Sequence, residues 1–404
     1  MITTEQYESD DILSVKELKS TVRQSVKNII DKERFTEYIA NIKNQTTNGG
    51  NYLGTLQTVA ITGKTEGGEN KELRLFLKNI MHIEDQFAIV DTLEAYQREG
   101  FFYREVFNYF EKIEDKYNIP VEERLNTVKG YSETNDEVII LEDVSCKGYK
   151  TGDRFKVVSL KFAELSIKEL AKFHAMSFII RNENPKYFEN NMKSLRSLFK
   201  INEQLKTHLR RTFDKAKETL DETAKLKLEK IVPKMIDTFH KYIVVEPEEA
   251  ICITHTDYRP DNILVKEIDG EAVKVIPVDY QIACFGCPVN DFLYFIFLGT
   301  DQEFRKNHMQ DLKDLYYCTF ESFLGKFGID ANEMYTKKQF EDDFRENLEY
   351  GLISFMSVMP FIFTIPGDIP DLGNGIENIA LNLDERYKDR LHGVIDDFIQ
   401  WGYL

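Results

Sequence analysis

The run ITHTDYRPDNILVK at residues 253–266, with VIPVDYQ at 275–281, decides the fold of this chain. His255, Asp257 and Asn262 fall in the pattern H-x-D-x-x-x-x-N between apolar, strand-like flanks, and Asp279 follows a second apolar strand. A proton-accepting carboxylate, a carboxamide and a second carboxylate spread over two short strands are the parts needed to move a phosphoryl group from a nucleotide with Mg²⁺. Asp257 is suited to orient an acceptor hydroxyl and take its proton. Asn262 offers a neutral oxygen and Asp279 an anionic one to a cation that keeps most of its waters and so needs few protein ligands. His255 is expected to brace the turn through hydrogen bonds, with Asp257 the better general base. A hairpin that merely carries polar residues would explain the first pattern alone; the added Asp279 argues against it.

The chain has 404 residues, 42% hydrophobic and 30% charged, which points to a globular protein of two or three lobes. Its formal charge of −17, from 69 acidic and 52 basic residues, repels nucleic acid and anionic lipid at long range, so neither is an expected partner. A nucleotide is not excluded, because local lysines and a metal ion act at short range. The opening MITTEQYESDD (1–11) is acidic and polar, and no signal peptide is expected. The apolar run FLYFIFLG (292–299) is too short to span a bilayer, so no membrane insertion is expected. Cys146, Cys252, Cys284, Cys287 and Cys318 are irregularly spaced and read as free thiols of a reducing, cytoplasmic protein. The Cys284/Cys287 pair is expected to pack rather than to bind metal or act in redox chemistry.

Along the chain, residues 13–43 carry Leu13, Leu18, Val22, Val26, Ile29 and Ile30 at helical spacing and predict one or two amphipathic helices. The turn-rich NQTTNGGNYLG (44–54) gives way to a β-branched stretch. GKTEGGEN (63–70) is a hairpin loop, and LRLFLKNI (73–80) puts Leu73, Leu75 and Leu77 on one face of a strand. A helix is expected from Leu93 to Tyr117, weakened but not broken by Gly100. TVKGY (127–131) and VIILEDV (138–144) read as strands. SIKELAKFHAMSFII (166–180) reads as a helix opened by a capping box of Ser166 and Glu169, and 188–245 as charged helix. Helical patterns dominate from Asn290 onward, interrupted at 359–375. The expected class is α+β and bilobal. Residues 1–141 form an N-terminal nucleotide-binding lobe with an antiparallel sheet and helices. Residues 142–149 form a hinge, and 150–404 a larger, mostly helical lobe with the catalytic loop and acceptor pocket.

A phosphate site also needs backbone N–H groups and a cation. Gly49, Gly50 and Asn51 in NGGNYLG (48–54) are the N-terminal segment suited to close backbone approach. Lys78 ends a strand and is the expected phosphate cation; Glu99 is its best carboxylate partner, with Glu94 and Glu105 as rivals. VIILEDVSCKGY (138–149) leaves an apolar strand into a Gly-containing turn, and the backbone around Glu142 to Val144 is expected to face a nucleobase. His174, on an apolar helical face, reads as structural.

The pieces GGNY (49–52), FLK (76–78), YQREGFFY (96–103), VIILEDVSCKGY (138–149), LAKFHAMS (170–177), THTDYRPDNILVK (254–266), VDYQ (278–281) and PVNDFLYF (288–295) occur in this order. On them the chain resembles the ecdysteroid kinase-like (CHK kinase-like) family of insects, within the choline kinase and aminoglycoside phosphotransferase superfamily. The resemblance implies a protein-kinase-like fold and an ATP- and Mg²⁺-dependent kinase acting on a small-molecule hydroxyl. It implies Asp257 as base, Asn262 and Asp279 as Mg²⁺ ligands, Lys78 on the ATP phosphates with Glu99 beside it, and Asp291 as a support of the catalytic loop. The chain departs from the family at Thr256, where Gly is usual, at Tyr258, where Trp is common, and at Tyr280, where Phe is common. Thr adopts a positive φ only at a cost.

The expected acceptor is an apolar alcohol, an ecdysteroid or a xenobiotic undergoing detoxification. PFIFTIPGDIP (360–370) reads equally as a wall of its pocket or as a buried connector. A choline or ethanolamine kinase is the alternative, since 20 Tyr and 29 Phe leave room for an aromatic cage. An inactive ligand-binding protein of the same fold is the alternative of another class, and the intact base, metal ligands and lysine argue against it. A protein kinase is disfavoured, because there is no D-F-G and no A-P-E segment.

Overall fold

The computed structural model describes residues 18–45, 54–80, 89–243, 251–365 and 382–404. The N-terminal lobe is built on a four-stranded antiparallel sheet in the order β1-β2-β3-β4. Its strands are β1 (Phe35–Gln45), β2 (Gly54–Thr65), β3 (Asn70–Ile80) and β4 (Val138–Glu142). Strand side chains alternate between faces, and here both faces are covered. Leu75, Leu77, Val138 and Ile140 pack with Val22, Val26, Ile29 and Ile30 of α1 (Ser20–Lys32). Phe76, Ile80, Ile139 and Leu141 turn the other way, into the main core. Lys78 lies on this second face, paired across the ladder with Leu56 and Ile139.

Of the one or two helices expected over 13–43, one runs from Ser20 to Lys32 and 35–45 is β1; residues 13–17 lie outside the described residues. Phe35, Tyr38, Ile39 and Ile42 do mimic a helical stripe, but Tyr38 and Ile39 are 42% and 68% exposed. Arg34 turns the chain with φ 59°, and pairing with β2 along the whole strand then overrides local spacing.

The segment from Thr92 to Lys116 is helical throughout: α2 (Thr92–Phe101), a π turn (Phe102–Val106) and α3 (Phe107–Lys116). TVKGY is not a strand. It touches β4 through an isolated bridge at Gly130 and a bond from Glu142 N–H to Lys129 O of 2.9 Å. A 3₁₀ turn (Val144–Lys147), closed by Gly148 at φ 86°, leads to β5 (Tyr149–Lys150) and the second lobe.

That lobe is mostly helical. The helix α4 (Leu160–Glu183) starts six residues before the stretch read as its beginning. Its N-cap is Ser159, which accepts from Phe162 N–H. The expected capping box is mid-helix instead: Ser166 donates back to Phe162 O at 2.8 Å, and Glu169 accepts from Asn126 N–H at 2.7 Å. The one-turn α5 (Pro185–Tyr187) and a π turn (Phe188–Met192) follow. A non-helical stretch then separates them from α6 (Glu203–Lys217) and α7 (Glu222–Ile243), so 188–245 is not one helical block. The site-bearing strands are β6 (Cys252–Thr254), β7 (Ile263–Ile268), β8 (Glu271–Pro277) and β9 (Cys284–Gly286). They form two small sheets, β5-β7-β8 and β6-β9. The remaining helices are α8 (Pro288–Gly299), α9 (Gln302–Gly325), α10 (Ala331–Met334), α11 (Lys337–Ile362) and α12 (Arg386–Gln400). Every residue of α8 is buried, so this helix is the axis of the lobe. Of PFIFTIPGDIP, residues 360–362 end α11, and 366–370 lie outside the described residues.

Gly351 of α11 makes the close approach of α8 possible: a Cβ there would lie 2.2 Å from Cδ2 of the fully buried Phe297. Alanine is the better helix former by about 1 kcal/mol, yet the ring has nowhere to go. Gly351→Ala is therefore expected to destabilise the protein by about 1–3 kcal/mol, read as a drop in thermal unfolding temperature. An unchanged or raised temperature would contradict this packing.

Candidate active site

The segment from Thr254 to Asn262 leaves β6, turns sharply and enters β7 through a 3₁₀ turn (Pro260–Asn262). One buried carboxylate holds the turn. Asp291, in the first turn of α8, accepts the backbone N–H of His255 at 2.5 Å and of Thr256 at 2.8 Å. His174 Nε2 lies 3.1 Å from the same carboxylate and its Nδ1 2.7 Å from Tyr316 Oη. Because a carboxylate only accepts, Nε2 is the donor to Asp291. Thr256 sits at φ 69°. The left-handed geometry that glycine would take freely is here imposed on a β-branched residue. Its hydroxyl lies 3.1 Å from Thr254 Oγ1 and 3.4 Å from Cys284 Sγ. His255 Nε2 donates to Val278 O at 3.0 Å, tying the turn to the strand that ends at Asp279.

The carboxylate of Asp257 is buried and surrounded by donors. Tyr294 Oη donates to Oδ1 at 2.8 Å, Asn262 Nδ2 to Oδ2 at 2.8 Å, and Arg259 Nε lies 3.1 and 3.2 Å from the two oxygens. Burial alone would raise its pKa; the Arg259 charge and the Tyr294 bond outweigh it and hold the group below the usual carboxylate range. Arg259 also pairs with Asp261. Asn262 Nδ2 bonds the backbone O of Asp257 too, at 3.0 Å, so the amide nitrogen is committed and Oδ1 is the atom left to meet a cation.

Lys78 bridges the two lobes. Its Nζ lies 2.7 Å from Glu99 Oε2 and 2.8 Å from Asp279 Oδ1. Burial works to lower its pKa, but Asp279 and Glu99 overcome this and the net shift is upward, so Lys78 is an ammonium. Burial pushes Glu99 up, against the pull of Lys78. Asp279 has φ 72°, and the next residue, Tyr280, turns into an aromatic cluster. Its ring stacks on Phe102 at 5.3 Å, meets Phe107 at 4.8 Å and lies 4.6 Å from the His255 ring. Phe102 begins the π turn, so that irregularity sits where the Glu99 helix meets the Asp279 turn.

The structure thus brings Asp257, Asn262, Asp279, Lys78 and Glu99 together. Val278 N–H donates to Asn262 O at 2.9 Å, making Asn262 and Asp279 neighbours across the hairpin. Their free oxygens, Asn262 Oδ1 and Asp279 Oδ2, are a hard donor set that fits Mg²⁺, which takes few protein ligands. Among the described residues no group of three His, Cys, Asp or Glu side chains could hold a metal unaided. The rivals for Lys78 lie elsewhere: Glu94 pairs with Arg98 at 2.8 Å, and Glu105 is exposed. Glu142 ends β4 opposite Leu75 and pairs with Lys147 at 2.8 Å, while Val144 opens the 3₁₀ turn. Gly49, Gly50 and Asn51 lie outside the described residues. Cys284 and Cys287 are free and buried, and burial raises both thiols, Cys287 to about 12.

The sequence reading does not single out two residues that touch Asp257. Arg259 stood inside the quoted motif. Tyr294 stands three residues after Asp291, one helical turn along α8, and that spacing was the available signal.

Fold and site together define a kinase-like phosphotransferase. The model described as the ecdysteroid kinase-like family matches residues 48–329, and the chain belongs to that family. No curated protein matches it. Among solved structures, the GDP and kanamycin complex of APH(2")-IIia is similar at 10% identity and a TM-score of 0.36, over 83% of this chain and 91% of that one. The GDP complex of wild-type aminoglycoside 2'-phosphotransferase-IIIa is similar at 11% and 0.35, over 83% and 97%. Glucosamine kinase is similar at 10% and 0.32, over 83% and 92%. Likeness this loose transfers no residue role.

Asp291→Ala would strand two backbone donors and His174, and is expected to cost about 3 kcal/mol in chemical denaturation. Thr256→Gly should behave in the opposite sense. Relief of a left-handed residue, about 1–2 kcal/mol, offsets the added freedom of the unfolded chain, about 0.4–1 kcal/mol. Its midpoint should stay level or rise. A large loss in Thr256→Gly would show that the hydroxyl contacts, not the backbone, hold the turn.

Proposed function

We propose that this protein is an ATP- and Mg²⁺-dependent small-molecule kinase that transfers the γ-phosphoryl group to a hydroxyl of an apolar alcohol, an ecdysteroid or a xenobiotic. One observation carries the reading: Lys78 is pinned by Glu99 and Asp279, and Val278, next to Asp279, bonds Asn262, whose amide nitrogen also holds the carboxylate of Asp257. Asp257 accepts the proton of the acceptor hydroxyl as its oxygen bonds to the γ-phosphorus and ADP leaves with the electrons of the broken P–O bond. Asn262 and Asp279 would hold Mg²⁺, which supplies neutralisation of phosphate charge. Lys78 would hold ATP phosphates. The backbone at Glu142–Val144 would face the base, and Gly49, Gly50 and Asn51 would approach the phosphates. In this reading residues 1–141 form the nucleotide lobe, 142–149 the hinge and 150–404 the acceptor lobe. A cytoplasmic setting accords with free thiols and with the absence, among the described residues, of any helix long and apolar enough to cross a membrane.

The test is phosphate uptake from labelled ATP into sterols, choline and plant-type phenols. Turnover should require Mg²⁺ and vanish on chelation. Asp257→Ala should lower it by about 10²–10⁴-fold, the usual scale of a general base, while Mg-ATP still raises the melting temperature. Preference for choline would favour the alternative acceptor. Equal turnover in wild type and Asp257→Ala would refute the assignment of the base, and Mg-ATP binding without uptake by any alcohol would favour an inactive ligand-binding protein.

A further inference from the structure

A carboxylate offers about four lone-pair sites, and those of Asp257 are covered by three donor hydrogens, that of Arg259 Nε being shared between the two oxygens. Tyr294 and Arg259 meet Oδ1; Asn262 and Arg259 meet Oδ2. A base in this state has no site for an acceptor hydroxyl, so one donor must leave. Asn262 is anchored a second time on the backbone O of Asp257, and Arg259 a second time on Asp261. Tyr294 reaches Asp257 through one bond at the end of a ring, and it is the partner whose donor is an O–H, the group an alcohol brings.

We propose that Tyr294 closes the base when no acceptor is present: its phenol stands where the acceptor hydroxyl must donate, and it yields only to an alcohol with an apolar body that takes over the ring's contacts. This rests on the function proposed above and deepens it by naming what selects the acceptor. The surroundings favour such a body. The Tyr294 ring stacks on Tyr350 at 6.4 Å and 25°, and Tyr350 lies against Tyr242 at 5.6 Å and 40°, so an aromatic tier continues away from Asp257. A flat apolar alcohol can replace one aromatic contact with another. Water brings an O–H but no such surface, and is excluded.

Water is therefore the probe. Phosphate release from Mg-ATP with no alcohol added is measured for wild type, Tyr294→Phe, Asp257→Ala and Tyr294→Phe/Asp257→Ala, alongside the melting-temperature shift that Mg-ATP gives each. In the hydrolysis read here, the oxygen of water bonds to the γ-phosphorus, its proton passes to Asp257, and ADP leaves with the electrons of the cleaved P–O bond. Tyr294→Phe keeps the ring and removes the plug. It should release phosphate roughly tenfold faster than wild type, within reach of one general-base contact, at unchanged KM for ATP. The gain should disappear in the double variant. A rate at or below wild type with a normal Mg-ATP shift overturns the role of Tyr294 and leaves the kinase reading standing. A gain that survives Asp257→Ala also overturns it, because the water then bypasses the base. Absence of a Mg-ATP shift in all four proteins overturns the kinase reading itself and this inference with it.

Discussion

The site depends on the carboxylate of Asp291. It sits in the first turn of a fully buried helix, where the helix dipole favours a negative charge. It accepts two consecutive backbone N–H groups, of His255 and Thr256, and the imidazole of His174. Two successive donors aimed at one acceptor force the chain between them into a tight turn, and Thr256 absorbs the turn as a positive φ. The residue that leaves the turn is Asp257. Its direction, and so its contacts with Tyr294, Asn262 and Arg259, is set by a carboxylate that belongs to a different element. Tyr294, on the same helix, then reaches Asp257 from one turn further along, so α8 both shapes the loop and caps its product.

Lys78 and Glu99 are coupled to this loop through one dipeptide. Asp279 and Tyr280 point in opposite directions from a left-handed kink. The carboxylate reaches up to Lys78 on β3, and the ring reaches back among Phe102, Phe107 and His255. Glu99, on the helix that runs into Phe102, closes the circuit from the other end. Arg98, its neighbour, donates to Ala283 O at 3.0 Å and so fastens the same helix to the second lobe. A shift of that helix would pull on Lys78 and on the Tyr280 ring together.

Much of this was legible as composition and spacing. The alternation of Leu73, Leu75 and Leu77, the continuous apolar run of β4 and the helix through Gly100 follow from burial on one or two faces, which a sequence records directly. H-x-D-x-x-x-x-N followed by Asp279 marks residues that the fold brings together, since they lie close along the chain. Strand β1 was misread because Phe35, Tyr38, Ile39 and Ile42 share a helical period while the decisive bonds run to β2, outside any local window. The start of α4 was misread because Ser166 and Glu169 copy a capping signature, whereas their hydrogen bonds go to Phe162 within the helix and to the distant Asn126. The partner of Lys78 could be narrowed but not chosen, because three glutamates lay within reach along the helix and only its rotation selects one.

On the proposed reading, the charge balance at the site explains how an acidic chain suits an anionic nucleotide. At the site Lys78 and Arg259 stand among four carboxylates, Glu99, Asp257, Asp261 and Asp279. Each cation is already paired, and the carboxylates outnumber them. In a buried site such an excess is costly unless a counter-charge arrives. On the proposed reading the divalent ion that accompanies the nucleotide is that counter-charge, and metal and phosphates enter as one unit. On that reading selection on this side is by charge, and on the far side of Asp257 by the shape of whatever can replace the Tyr294 ring.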